Sequence, residues 1–295
     1  MKITDFFKHS VSSLILFISF FSFAQNDFQA KAYYMSKTSI DMDGFGRSGM
    51  SEEQKKRIAE RMKSMFEKTY VLTFNKTESI YKEEGKLEAP SQGQGGRFRE
   101  MMSSFTGGDQ YKSIKEKLLL QDQELFGKQF LIKDSLPQIN WIMGSETKQI
   151  GKYMCFKATA TIVDSGFDFT RFRRPPENRT NEQDSTKTKE NKTIDSDDSE
   201  KLIQVEAWYT LQIPISQGPG EYWGLPGLIL EVNAGRTTIL CSKIVMNPDE
   251  KEAVKKPSKG KEVTKLEYDE IFEKKMKELR ENFRRRGRGG NDRRG

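Results

Sequence analysis

The chain has 295 residues, 35% hydrophobic and 32% charged, with two cysteines, one histidine (His9) and a net charge of +7. One unit of that charge lies in residues 1–24 and five in the tail from Arg284, which leaves +1 for residues 25–283 and no basic footprint for nucleic acid on the body. With the only imidazole confined to the first 24 residues, the remainder excludes Ser-His-Asp and Cys-His catalysis and histidine-ligated zinc, and it carries no phosphate loop or nucleotide fingerprint.

Lys2 and Lys8 precede an apolar run from Val11 to Phe23, and Ser22-Phe23-Ala24 offers small residues where a signal peptidase cuts. Residues 1–24 therefore read as a cleavable signal peptide. The run falls short of the roughly 20 residues that span a bilayer, so no transmembrane span is expected. Neither Cys155 nor Cys241 is near the cut, which removes the acceptor for a lipid anchor. The expected location is periplasmic or secreted.

Ala30 to Thr38 reads as the first strand, and a helix follows. Ser51 with Gln54 makes a capping box, and Ile58, Met62, Met65 and Phe66 form one apolar stripe. Strands are expected over Thr69–Tyr81, Ile114–Leu125 and Gln129–Lys133, with a turn at Phe126-Gly127. Met154, Phe156, Ala158, Ala160 and Ile162 then alternate with Cys155, Lys157, Thr159 and Thr161. The clearest alternation runs from Ile203 to Ile215, with Val205, Ala207, Tyr209, Leu211 and Ile213 on the same side as its two ends. Leu228–Asn233 and Thr237–Met246 complete the strands, joined at Ala234-Gly235. A second helix starts at Thr264 with Glu267 and carries Tyr268, Phe272, Met276, Leu279 and Phe283 as its stripe.

Two polar segments, residues 91–108 and 164–201, read as disordered insertions, and 284–295 as a disordered Arg/Gly-rich tail. The short connections leave no room for crossover helices. The expected fold is mainly β: a curved antiparallel β-meander, half-barrel-like, with two packed helices in a single domain over residues 25–283.

Chemistry is sparse. Asp and Glu cluster in helices and insertions, where they read as solvated surface. The many methionines raise soft-metal binding as a hypothesis, but Met62, Met65 and Met154 fall on expected core faces, and no metal site or cofactor is assigned. In an oxidising compartment Cys155 and Cys241 are candidates for a disulfide worth roughly 4 kcal/mol in the chain-entropy picture. The alternative is two independent thiols. An exported basic tail suits acidic head groups better than RNA.

The stretch Ile213 to Glu231 reads IPISQGPGEYWGLPGLILE. Leu225-Pro226-Gly227-Leu228 specifies a type II turn, with Pro setting φ and Gly taking the positive φ. Tyr222 and Trp223 lie between it and the Gly218-Pro219-Gly220 turn. Two readings stand: a rigid reversal feeding a core strand, or the mouth of a pocket or docking surface. The candidate binding residues are Trp208, Tyr209, Pro214, Gly218, Pro219, Tyr222, Trp223, Gly224, Leu225, Pro226, Gly227, Leu228 and Ile229.

Gly224 to Ile229 spells GLPGLI, and with Trp141, the run Lys148 to Tyr153, Cys155 and Ala207 to Thr210 upstream the chain resembles the GLPGLI family of Bacteroidota. The likeness spans most of residues 28–246. It implies an exported β-rich protein without an established reaction, often associated with outer-membrane systems. The meander is also similar to the half-barrels of periplasmic lipoprotein carriers. The expectation is a non-catalytic binding or scaffolding protein of the cell envelope whose ligand is hydrophobic or another envelope protein, an outer-membrane one included. Its alternatives are a carrier of lipid or lipidated protein and a copper-binding protein.

Overall fold

The structure, a computed structural model, describes residues 28–39, 51–54, 56, 60, 66–85, 107–163 and 202–288. The expected signal peptide, the 164–201 insertion, most of the 91–108 insertion, the end of the tail and Ile58, Met62 and Met65 lie outside the described residues.

The described strands are β1 (Ala30–Thr38), β2 (Glu67–Phe74), β3 (Glu78–Glu83), β4 (Gln110–Ser113), β5 (Leu118–Leu125), β6 (Lys128–Ser135), β7 (Ile142–Ile150), β8 (Tyr153–Val163), β9 (Leu202–Thr210), β10 (Leu228–Ala234), β11 (Thr237–Met246) and β12 (Lys261–Val263). They form one 12-stranded sheet in the order β12-β6-β5-β4-β3-β2-β1-β11-β10-β9-β8-β7. The fold is mainly β, as expected. Two meanders, β1 to β6 and β7 to β11, are joined where β1 pairs with β11 from Ala30↔Met246 to Thr38↔Thr237. All pairs are antiparallel except β12 beside β6, which runs parallel and makes the sheet mixed.

Chain length forces the sheet to curl. β6 and β7 stand ten strand spacings apart in the order, about 48 Å if the sheet were flat. The segment Leu136–Trp141 that joins them reaches about 25 Å at most. Only a strongly curved sheet brings the ends of β6 and β7 that close, and the sheet stays open because β12 and β7 are its two edges.

Two expected strands contain turns, and the first is a hairpin of β2 and β3. Thr69–Tyr81 is broken at residues 75–77 because the Asn75 Oδ1 accepts from the Thr77 N at 2.8 Å and the Glu78 N at 2.7 Å, an Asx turn that needs no glycine. Ile114–Leu125 is broken by the turn at 114–117, where the Ser113 Oγ accepts from the Glu116 N at 3.2 Å and Lys117 takes φ 50°. The Phe126-Gly127 turn forms as expected, with φ of 48° and 76°, the positive pair of a tight hairpin. β9 stops at Thr210 rather than Ile215, and Leu211 and Gln212 face solvent.

Both capping boxes form. The Ser51 N donates to the Gln54 Oε1 at 3.1 Å and the Gln54 N to the Ser51 Oγ at 3.3 Å, and Thr264 and Glu267 do the same at 2.8 and 3.2 Å. The C-terminal helix runs over Lys265–Arg288, so it continues past Arg284, where the tail was expected to begin. Its Tyr268, Phe272 and Met276 pack with Leu125, Phe130, Ile132 and Val263 in a core over β5, β6 and β12.

The largest core gathers Ala30, Ala32, Tyr34, Leu72, Phe74 and Tyr81 with Cys155, Trp208, Ile213, Leu228, Leu230 and Cys241. A second joins Ala158, Val205, Ala207, Tyr209, Ile229 and Val232 to Tyr222 and Leu225. At its start β8 turns Cys155 into the first core and leaves Met154 exposed, which reverses the expected core side there. Among the described residues no helix is long and apolar enough to cross a membrane.

Candidate functional site

The segment between β9 and β10, residues 211–227, contributes to both large cores, with Ile213 in one and Tyr222 and Leu225 in the other. Two tight turns start it: the Ile215 N donates to the Ile213 O at 2.8 Å and the Gln217 N to the Ile215 O at 2.7 Å. The Leu228 N then bonds the Ile213 O at 2.9 Å and the Ile229 N the Gln217 O at 3.0 Å. The Ser216 Oγ closes the loop by donating to the Leu225 O at 2.6 Å. Several backbone groups of an irregular loop are thereby satisfied without regular structure.

The expected type II turn at Leu225–Leu228 does not form, since Gly227 is absent from the positive-φ glycines while Gly224 takes φ 95°. Gly227 is required for another reason: a Cβ there would lie 2.0 Å from the Thr210 O. Gly218 is equally enclosed, with the Tyr222 O 2.7 Å from where its Cβ would stand. Backbone crowding thus explains two glycines that sequence attributes to turns.

Three side chains from elsewhere pin the loop and the start of β10. Lys112 on β4, opposite Ser79 of β3 and Leu119 of β5, is 1% exposed, and its Nζ donates to the carbonyls of Gly218, Gly220 and Tyr222, each at 3.1 Å. Burial pulls its pKa down to about 7, and the nearby charge of Glu221 acts the other way. The Trp141 Nε1 donates to the Trp223 O at 2.8 Å, and the Trp223 Nε1 donates to the Pro137 O at 2.7 Å. The loop therefore grips the β6–β7 crossing that curls the sheet. The Tyr34 Oη donates to the Ile229 O at 2.7 Å, beside the register shift between Ile229 and Glu231.

Of the candidate binding residues, Trp208 and Tyr209 are buried on β9, and Gly218, Pro219, Tyr222, Leu225, Gly227, Leu228 and Ile229 are buried as well. Pro214, Gly224 and Pro226 are exposed and Trp223 is half-buried. Besides Leu211, Gln212 and Pro214 near its start, the loop offers Trp223, Gly224 and Pro226 to solvent, and the Trp141 indole stands 3.8 Å from the Cβ position of Gly224. Beyond Trp141 the edge strand β7 exposes Ile142 (72%) and Met143 (60%). Gln217 is fully enclosed, and neither atom of its amide finds a partner among the described residues.

Trp208 does not join this rim. It lies under Lys148, whose Nζ is 4.2 Å from its ring centre and pairs with Glu231 at 2.7 Å, while its own Nε1 donates to the Glu206 Oε1 at 2.8 Å. Lys157 pairs with Glu206 at 2.9 Å and lowers that carboxyl's pKa. These charges compensate one another, which is structural work.

Cys155 and Cys241 are both buried free thiols in the first core, and burial pushes them up to about 11 and 12. β9 and β10 lie between their strands in the sheet order, yet both thiols enter one core, near enough for Cys155 to raise Cys241 further. Among the described residues no three His, Cys, Asp or Glu side chains converge as metal ligands. Sequence reasoning missed Lys112, Gln217 and Tyr34. The only signal was a lysine at an alternating position of a short strand, which ordinarily faces solvent.

Residues 141–231 match the model of a family described as "Protein of unknown function (Porph_ging)", a span that begins at Trp141 and ends at Glu231 of β10. No curated protein matches the chain. The fold is similar to solved structures of PNGF-II in C2 and P21 crystals, at 12% identity and TM-scores of 0.44 and 0.43, covering 83% of this chain. The chain spans about a third of the length of those proteins, 32% and 33%.

Proposed function

We propose that the chain is an exported, non-catalytic binding or scaffolding protein of the bacterial cell envelope, of the GLPGLI type. Its docking surface is the rim where Trp141, Ile142 and Met143 meet Trp223, Gly224 and Pro226, and its partner is another envelope protein. The observation that carries this reading is the contrast within the loop. Its Tyr222 and Leu225 are buried and three of its carbonyls are held by Lys112, so Trp223, Gly224 and Pro226 are fixed in place near two exposed apolar residues on a sheet edge. A rigid aromatic and aliphatic patch binds at low ordering cost, and an unpaired edge can accept an extended segment.

A photo-crosslinking residue at Met143 tests this in cells of the source organism, with the same residue at exposed Phe126 on the β5–β6 hairpin as the control. A discrete adduct with one envelope protein from position 143, lost in Trp223→Ala and absent from position 126, is the expected result. Equal labelling from both positions would sink the rim as the site. The carrier reading would require lipid to co-purify in native mass spectrometry. The copper reading would require a bound metal in the same spectrum.

A further inference from the structure

Three carbonyl oxygens, those of Gly218, Gly220 and Tyr222, converge on one point, the Lys112 Nζ, at 3.1 Å each. Oxygen ends of dipoles gathered this closely repel one another, and a cation at the centre reverses the sign of that interaction. The backbone reaches this ring only because Gly220 takes φ 56° and Gly218 leaves no room for a Cβ, which would stand 2.9 Å from the Ile229 Cδ1. An ammonium has three donors and the cage has three acceptors, so the match is complete. The lysine stem, anchored on β4, supplies the cation from the opposite meander of the sheet.

We propose that the Gly218–Tyr222 segment is a carbonyl cage for an ammonium-class cation, that Lys112 is its tethered occupant, and that Lys112 thereby acts as the positioning residue of the whole 211–227 loop. Deprived of the side chain, the cage takes a free primary ammonium ion. This holds whether or not the rim docks a partner, because it concerns the shape of the loop alone.

Hydrogen exchange by mass spectrometry on the mature chain provides the test, reading peptides over 211–229 against peptides of the C-terminal helix. In Lys112→Ala the loop amides should exchange at least tenfold faster while the helix is unchanged, and ethylammonium should restore protection. Tetramethylammonium, with the same charge and no N–H, should not. Lys112→Met keeps the length of the stem without donors and should exchange like the Ala variant. Parent-like protection in Lys112→Met, or rescue by no primary ammonium ion, overturns the proposal. Should neither variant fold, recovery of folded Lys112→Ala on refolding in ethylammonium supports it and failure to recover overturns it.

Discussion

Two parts of the sheet are closed by opposite means. Over β5, β6 and β12 the cover is a helix, whose Tyr268, Phe272 and Met276 enter the core at regular spacing. Over β8 to β10 the cover is the 211–227 loop, which enters the core through Tyr222 and Leu225 and is otherwise held by backbone crowding and by donors from β4 and the β6–β7 crossing. A helix satisfies its own backbone and needs only an apolar stripe. A loop has to borrow partners, so its fit depends on residues far away in sequence, and the loss of one contact is felt at several points.

The sharpest way to break the comparison is steric. Gly227→Ala would place a Cβ 2.0 Å from the Thr210 carbonyl, where no flexible side chain can give way. The expected loss is about 4 kcal/mol or more, or failure to fold. Gly235→Ala, at φ 56° with nothing within 4 Å, should cost only about 1 kcal/mol. Urea denaturation of the two variants checks the contrast. Similar costs would mean that the strand ends of β9 and β10 yield more easily than close packing implies.

On the other cover the same experiment reads packing alone. Phe272→Ala removes a buried ring among Phe130, Ile132 and Tyr268, and about 3–4 kcal/mol should be lost. Loop protection over 211–229 in hydrogen exchange should stay as in the parent under native conditions. If the loop loosens as well, the two covers are coupled through the sheet and do not act independently.

This difference also sets what could be read from residues alone. The helix stripe and both capping boxes are local and periodic, so Thr264, Glu267, Tyr268, Phe272 and Met276 announced their places. The strand from Ala30 to Thr38 was equally plain, because Ala30, Ala32 and Tyr34 bury one side of it, whereas on Thr237 to Met246 only Cys241 is buried. The turns at Asn75 and Ser113 were hidden because side-chain oxygens make them without glycine or proline. Gly227 was assigned to the right place for the wrong reason, since a turn signature and a crowded backbone leave the same residue behind. Lys112 was illegible: its meaning depends on carbonyls more than a hundred residues away, and no spacing rule connects β4 to the Gly218–Tyr222 segment.

The smallest effect is a pH dependence, and its sign follows from burial. Lys112 has its pKa pulled to about 7 in the folded protein, against about 10.4 in an unfolded chain. Between those values the unfolded chain binds more protons, so stability rises as pH rises from 7. The thiols of Cys155 and Cys241, raised by burial to about 11 and 12, act in the opposite sense once pH passes the unfolded thiol value near 8.5. The clean window is therefore pH 7 to about 8.5, where Lys112 contributes a gain of up to about 2 kcal/mol. Glu221 is the charged neighbour that tempers it. Urea midpoints in Lys112→Met should be flat across this window, whereas Phe272→Ala should keep the parent slope from a lower baseline. A parent protein with no slope between pH 7 and 8.5 would mean that the three carbonyls offset the cost of burying the charge.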